Sequence, residues 1–360
     1  MRLAFLDKLR CPICSQKLLP QEEGRGRRWI QEGNLVCSSG HGFPIRNGIP
    51  CLYKEGDNWD SKAREAQGWV DIHKEKGIYE IGIDPVDLKI PYYPEEPWIE
   101  VAKSFDTALE LLDISGKESI LDLGAGRGWA AKQFALRGCD VAALDIVEDP
   151  NIGLGRAYAL MEEAGIAFDL VVGDGELLPF APETFDILFC SAVLHHSSKL
   201  PALLNNISAV LKPGGRLCAI AEPCIPLWEN EKFVLRKHSR EELQHGINET
   251  RPDFNGYVHA VIHSGMKVEA AIPGETIGMN DEQLAAWVQR KGIRPVWTSD
   301  FQESIIANTK YTWRQARGLL TGARKASQRH RSPDKHTNLQ YDILKWIGGE
   351  MILLATKPAD

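Results

Sequence analysis

The chain has 360 residues, a formal charge of −7, 43% hydrophobic and 25% charged residues. At roughly 100–200 residues per domain this predicts two or three domains around sizeable cores. The ordinary composition excludes a collagenous, low-complexity or wholly disordered chain, and the acidic balance excludes a generally basic nucleic-acid coat. No apolar run approaches the roughly 18 residues of a membrane span. Asp7 and Lys8 interrupt the opening stretch where a secretory leader needs apolar residues, so a cytoplasmic, reducing setting is expected.

Residues 1–56 hold nine Lys/Arg against five Asp/Glu, and four of the eight cysteines. The spacing Cys11-x2-Cys14, then Cys37-x3-His41, matches a four-ligand Zn²⁺ site. Two thiolates on a tight turn and a second Cys/His pair can close a tetrahedron, and about 40 residues of chain have too little core to hold themselves. Cys51 is the alternative fourth ligand to His41. A filled four-ligand site would be structural. Residues 57–103, rich in charge, Trp and Pro (Pro85, Pro91, Pro94, Pro97), read as a linker with short helices.

From 104 the pattern changes. A helix is predicted over Ser104–Leu112, then strands at Ser119–Leu123, Asp140–Asp145, Phe168–Val172, Phe185–Cys190 and Arg216–Glu222. A helix at Tyr257–Ser264 and a strand at Lys267–Ile272 follow, and the last strand is Glu350–Thr356. Strands alternating with helices predict an α/β fold with a doubly wound, mainly parallel, seven-stranded sheet. The expected parts are a ribbon (1–56), the linker (57–103), a core (104–275), an insertion or lid (276–346) and the last core strand with its tail (347–360). Cys139, Cys190, Cys218 and Cys224 sit singly in apolar segments and read as buried thiols.

The first predicted strand runs into Gly124-Ala125-Gly126-Arg127-Gly128. Glycines are needed where backbone turns sharply against a ligand. Trp129 stands where a dinucleotide fingerprint wants a small residue. Asp145 ends the next strand, where a carboxylate can accept from both hydroxyls of a ribose. Asp174, in Gly173-Asp174-Gly175-Glu176, can accept from the amine of an adenine or close an Asx turn. Asp122 binds ligand or caps a helix, and Asp186 reads as structural.

Two resemblances follow from these residues. Cys11-Pro-x-Cys14, Cys37 and His41 through Pro50 resemble the N-terminal ribbon of the rRNA guanine-N1 methyltransferases and the zinc-ribbon activator subunit of other methyltransferases. The loop Asp122–Gly128, Asp145, Asp174, Phe185-Asp186 and Leu211-Lys-Pro-Gly-Gly215 resemble, in that order, the class I S-adenosylmethionine (SAM)-dependent methyltransferases (Rossmann-like) over 104–275. The resemblance implies that Asp122, Gly124 and Gly126 bind the aminocarboxypropyl end of SAM, Asp145 its ribose and Asp174 its adenine. The adjoining Ala125, Gly128, Ile146, Gly175, Glu176, Cys190 and Ser191 complete the expected cofactor set.

The acceptor must then meet groups at the carboxyl ends of the strands. Candidates are His195, His196, Glu222 and His245, the last in a segment through Glu249 expected to form part of the acceptor wall. Residues 310–336 hold eight Lys/Arg against Asp334 alone. They could contact RNA, a nucleotide-sugar or an anionic membrane surface, or form a solvated helix face. Trp287, Trp297 and Trp313 line an acceptor pocket or fill the lid's core. The expected activity is SAM-dependent methylation, on oxygen, of a small-molecule, glycan or lipid-linked acceptor. The alternatives are rRNA guanine methylation and a non-catalytic partner protein. The oligomeric state stays open.

Overall fold

The computed structural model describes residues 1–21, 29–54, 56–79, 85–291 and 334–359. Residues 292–333, and with them Trp297, Trp313 and all but the last three residues of the basic stretch, lie outside the described part.

Strands β1 (Leu18–Pro20), β2 (Gly33–Cys37), β3 (Gly42–Arg46) and β4 (Ile49–Leu52) form an antiparallel N-terminal meander. Seven more strands follow: β5 (Ser119–Leu123), β6 (Asp140–Asp145), β7 (Asp169–Gly173), β8 (Phe185–Ser191), β9 (Leu211–Cys224), β10 (Lys267–Pro273) and β11 (Gly349–Thr356). The order across the sheet is β1-β2-β3-β4-β7-β6-β5-β8-β9-β11-β10. β4 through β9 make parallel contacts across β7, β6, β5 and β8, while β11 is antiparallel to both neighbours. The sheet is therefore a mixed, Rossmann-like one of eleven strands among the described residues. The ribbon is not a separate layer, because β4 adds to the open edge of β7 with Cys51 opposite Val172 and Leu52 opposite Gly173.

The seam is apolar and charged by turns. Phe5, Leu9, Leu35 and Phe43 share one core cluster with Leu121, Leu144, Val171 and Phe180. Arg2 and Lys8 bind Asp140, and Arg2 also pairs with buried Asp169. Burying both faces of the central strands requires continuous apolar runs, which Ile120-Leu121, Val141 to Leu144 and Ile187 to Cys190 supply.

In place of a linker with short helices, the described residues of 57–103 build the 19-residue α1 (Asp57–Glu75), α2 (Pro85–Lys89) and the start of α3 (Trp98–Leu112). α1, α2 and Trp98 line the carboxyl-end crevice, and the rest of α3 packs on the sheet through Phe105, Ala108 and Leu112. Next come α4 (Trp129–Leu136), α5 (Ala157–Ala164), α6 (Leu200–Val210), α7 (Glu231–His238), α8 (Arg240–Gln244) and α9 (Phe254–His263). In the expected insertion, α10 (Asp281–Arg290) and α11 (Lys335–Trp346) are described and share a small cluster of Leu284, Trp287, Val288, Leu339 and Ile343. Trp287 thus fills a core.

Candidate active site

A cavity of about 780 Å³ opens where four parallel strands end: Leu123–Gly126 after β5, Leu144–Val147 after β6, Gly173–Glu176 after β7 and Ser191–Val193 after β8. This is the ligand crevice of open α/β sheets.

The glycine loop is set by contacts, not by flexibility. Gly124 has φ +67°, and a Cβ there would sit 2.4 Å from Val193 Cγ2. Gly126 has φ +52° and no atom within 4 Å of its Cβ position, so it presents bare backbone to the cavity. The N–H groups of Gly124 and Ala125 both donate to the Leu144 carbonyl (2.8 and 3.1 Å), and that of Gly126 donates to Asp145 Oδ2 (2.7 Å). Three consecutive donors are thus spent inside the protein. Such a loop is poorly suited to cradling a phosphate, which needs free N–H groups. It suits a ligand whose near end is itself a donor or a cation.

Asp145 and Asp174 both line the cavity. Asp145 Oδ1 also accepts from Val147 N (2.8 Å). Burial pushes its carboxyl up, and the Val147 and Gly126 N–H groups pull it back. Asp174 accepts from Glu176 N (2.9 Å), so the Asx turn exists while the residue still faces the cavity. Ala125, Ile146, Gly175, Glu176 and Ser191 line it too. Glu176 ties down the segment after His196 through Ser197 Oγ (2.7 Å) and Ser198 N (2.6 Å).

Three expected cofactor residues are absent from the lining. Asp122 is buried and turned to α4, where Oδ2 accepts from Ala131 N (2.9 Å). Burial pushes its carboxyl up to about 8, against the pull of that N–H. Gly128, φ +81°, backs onto Ala157 and Phe168 at the start of α4. Cys190 is fully buried within β8. Asp122 and Cys190 lie behind the loop because alternation along a strand turns every second side chain away from a given face, and Gly128 because it starts α4. Asp186 accepts from Ser119 N (2.9 Å) and Lys212 Nζ (2.8 Å), a structural role.

At the other end, His195 and His196 line the cavity. Glu222 does not. It lies fully buried behind them, and its Oε1 accepts from Val193 N (2.8 Å) and Leu194 N (2.9 Å). Its Oε2 stands 3.0 Å from His195 Nδ1. Burial alone would raise this carboxyl, but the His195 contact and the N–H groups hold it below the usual range. His196 Nδ1 lies 2.7 Å from the Asn248 carbonyl, and its ring meets Trp69 edge-on at 5.5 Å. Burial and the neighbouring His195 lower His196 to about 3, so it is neutral. His245 is not a cavity residue: it turns outward to Glu75 (3.1 Å) and the Glu241 carbonyl (3.0 Å). From its segment it is Glu249, with Arg251 beyond, that reaches the cavity.

The unforeseen wall comes from α1 to α4. Lys62, Glu65, Trp69 and His73 line the cavity from one face of α1. Their three- and four-residue spacing is the helical signal that could have revealed it. Lys62 and Glu65 form a buried pair (2.9 Å). Gly68 lets α1 approach α8, since a Cβ there would meet the His245 carbonyl oxygen at 2.2 Å. Trp98 and Trp129 pack at 6.2 Å. Asp87, fully buried on α2, holds Arg127 (2.7 Å) and Arg156 Nε (2.7 Å). Two helices remote in sequence are thereby tied to the glycine loop.

In the ribbon, Cys11, Cys14, Cys37 and His41 converge, with all donor atoms within 4.8 Å of one another. The Sγ of Cys14 and Cys37 are 3.6 Å apart, and His41 Nδ1 is 3.5 Å from Cys11 and 3.3 Å from Cys37. Those are close to the edges of about 3.7 Å of a tetrahedron with Zn–S bonds of about 2.3 Å. The donor set therefore fits Zn²⁺. Cys51 lies apart in β4, its Sγ toward the Ile49 carbonyl.

The mixed Rossmann-like sheet with its crevice at the strand ends is the fold typical of class I SAM-dependent methyltransferases. Residues 121–219 match the family described as methyltransferase domain. Among curated relatives, the biotin biosynthesis bifunctional protein BioHC of Cellvibrio japonicus is 39% identical over 97 residues, 27% of this chain and 18% of its own length. A demethylmenaquinone methyltransferase of Paenarthrobacter aurescens is 33% identical over 125 residues, 34% of this chain and 46% of its own. The chain thus spans less than half the length of either relative. The solved phosphoethanolamine N-methyltransferase 2 of Haemonchus contortus aligns at 18% identity and TM-score 0.42, covering 71% of this chain and 52% of that one, too distant to argue from. No helix among the described residues is long and apolar enough to cross a membrane.

Proposed function

We propose that the chain is a SAM-dependent methyltransferase acting on a small-molecule acceptor, with oxygen as the methylated atom. One observation carries the reading: a glycine loop with its N–H groups spent and two carboxylates, Asp145 and Asp174, at the ends of adjacent strands of one enclosed cavity. When bound, SAM supplies an electrophilic methyl on a sulfonium.

The chain's own residues do the rest. Asp145 accepts from ribose hydroxyls, Asp174 from an adenine amine, and the bare backbone at Gly126 admits the aminocarboxypropyl end. Asp122 acts through α4 as a positioning residue. Trp69, Trp98 and Trp129 form an apolar wall that excludes water and favours a flat or apolar acceptor. Glu222 fixes the His195 ring so that Nε2 carries the lone pair facing the acceptor end. Cys11, Cys14, Cys37 and His41 hold a structural Zn²⁺ that staples the ribbon against β7.

The helical wall over the cavity favours a small acceptor above an RNA one. The test is calorimetry of the full, zinc-loaded chain with SAM, followed by methyl transfer from labelled SAM to phenols, alcohols, amines and transcribed rRNA. One-to-one SAM binding and transfer to a hydroxyl compound are expected. Absence of SAM binding would leave only a non-catalytic role, and transfer to RNA alone would replace the acceptor.

A further inference from the structure

The geometry points to a second metal site: His195, His196 and Glu249 bind a divalent first-row cation at the acceptor end of the cavity, which in turn holds an oxygen of the acceptor. The site itself stands on its own residues; the acceptor's place in it rests on the methyltransferase reading.

One nitrogen of each imidazole and one Glu249 oxygen lie within 4.8 Å of one another. His195 Nε2 is 3.9 Å from Glu249 Oε1, and His196, whose Nδ1 donates to the Asn248 carbonyl (2.7 Å), keeps Nε2 to ligate. The two rings stand 4.1 Å apart between centroids. Two imidazoles and one carboxylate, all facing a cavity, supply three donors and leave the remaining positions open to a ligand, the pattern of catalytic rather than structural metal sites.

The surroundings are those of a metal site as well. Glu222, fully buried, accepts from His195 Nδ1 and so leaves Nε2 to ligate. Glu249 is oriented through its other oxygen, Oε2, which accepts from Ser239 Oγ (3.0 Å) and pairs with Arg251 (3.2 Å). Oε1 is the oxygen that faces both histidines. Charge argues the same way. Glu249 is paired with a single guanidinium in the described residues, Arg251, and Lys62 is already paired with Glu65.

The donor set of nitrogen and oxygen contrasts with the thiolate-rich ribbon site, and that contrast makes the test clean. Mn²⁺ suits carboxylate and imidazole and competes poorly for thiolates. Zinc-loaded full-length protein is titrated with Mn²⁺, free Mn²⁺ is followed by electron paramagnetic resonance, and SAM binding is measured separately by calorimetry. One Mn²⁺ per chain is expected, weakened at least ~10-fold by E249Q or H195Q and roughly 10-fold by E222Q, which alters only the outer partner. Circular dichroism melting and SAM affinity serve as controls that each variant is folded. If folded, SAM-binding wild type takes up no Mn²⁺, or if E249Q and H195Q bind it as well as wild type, the site is overturned and the methyltransferase reading stands. Mn²⁺ bound by the triad without SAM binding would support the site and overturn that reading instead.

Discussion

The cavity has two walls of different origin. One is made by strand ends: the glycine loop, Asp145, Asp174 and Ser191, each reached directly after a parallel strand. The other is made by helices: Lys62, Glu65, Trp69 and His73 of α1, Trp98 of α3 and Trp129 of α4, with Arg251 beyond. The strand wall is fixed by a short-range rule, since a residue ending a parallel strand faces the crevice. The helical wall depends on where whole helices dock. It is held by a few contacts: Gly68 against His245, Asp87 between Arg127 and Arg156, and β4 on β7, which delivers the chain into α1. On the proposed reading the strand wall serves the cofactor and the helical wall chooses the acceptor.

The largest expected effect strikes the joint both walls share. C37S should lose the bound Zn²⁺, whose apparent binding energy in small zinc domains is about 10–16 kcal/mol. Metal analysis should fall to background and the melting temperature should drop sharply. Unchanged stability would show that the ribbon supports neither wall. Next is D87A, which removes the buried carboxylate that Arg127 and Arg156 share, at a cost of about 3–5 kcal/mol in denaturant unfolding. A loss under ~1 kcal/mol would mean that the helical wall is held elsewhere.

On the strand wall, D145A should weaken SAM by about 1.5–3 kcal/mol, the worth of hydrogen bonds to a charged group, with any acceptor KM little changed. W69A should do the reverse, raising the acceptor KM roughly ten-fold through lost apolar contact and leaving SAM affinity near wild type. If both variants moved the same constant, the division between the walls would fail.

A pH-dependent effect concerns Asp122. Its carboxyl is raised by burial from 3.8 to about 8. A raised carboxyl binds its proton more tightly in the folded state, so its stabilising contribution is full below pH 3.8 and is lost as pH rises towards 8. D122N, which keeps an oxygen for Ala131 N, should flatten the melting temperature between pH 4 and 8 and leave SAM affinity unchanged. A fall in SAM affinity matching that of D145A would return Asp122 to the cofactor site.

The strands were legible because buried parallel strands need continuous apolar runs, and β5, β6, β7 and β8 begin within a residue of expectation. The Cys/His cluster was legible because thiolate spacing survives any fold of the loops between, and His41 rather than Cys51 joins Cys11, Cys14 and Cys37 in it. The helix at 57–75 was not, because its inward face carries Lys62, Glu65 and His73 rather than aliphatic residues, and polar cavity linings weaken the apolar stripe. His245 and Glu249 show the same limit within five residues. Sequence placed the segment at the wall, but the turn after α8 sends His245 to Glu75 and Glu249 inward.

What the sequence by itself determined is local and periodic: alternating strands and helices, the glycine turn, the Cys/His spacing and the acidic residues Asp145 and Asp174 at the ends of β6 and β7. Only the tertiary structure decided which side chains face the cavity, that the ribbon extends the sheet through β4, and that two histidines meet Glu249 across some fifty residues of helix and strand. The physical reason is range. Backbone geometry and ligand spacing act over a few residues, whereas facing, docking and charge pairing are settled when elements far apart in sequence compete for one buried space.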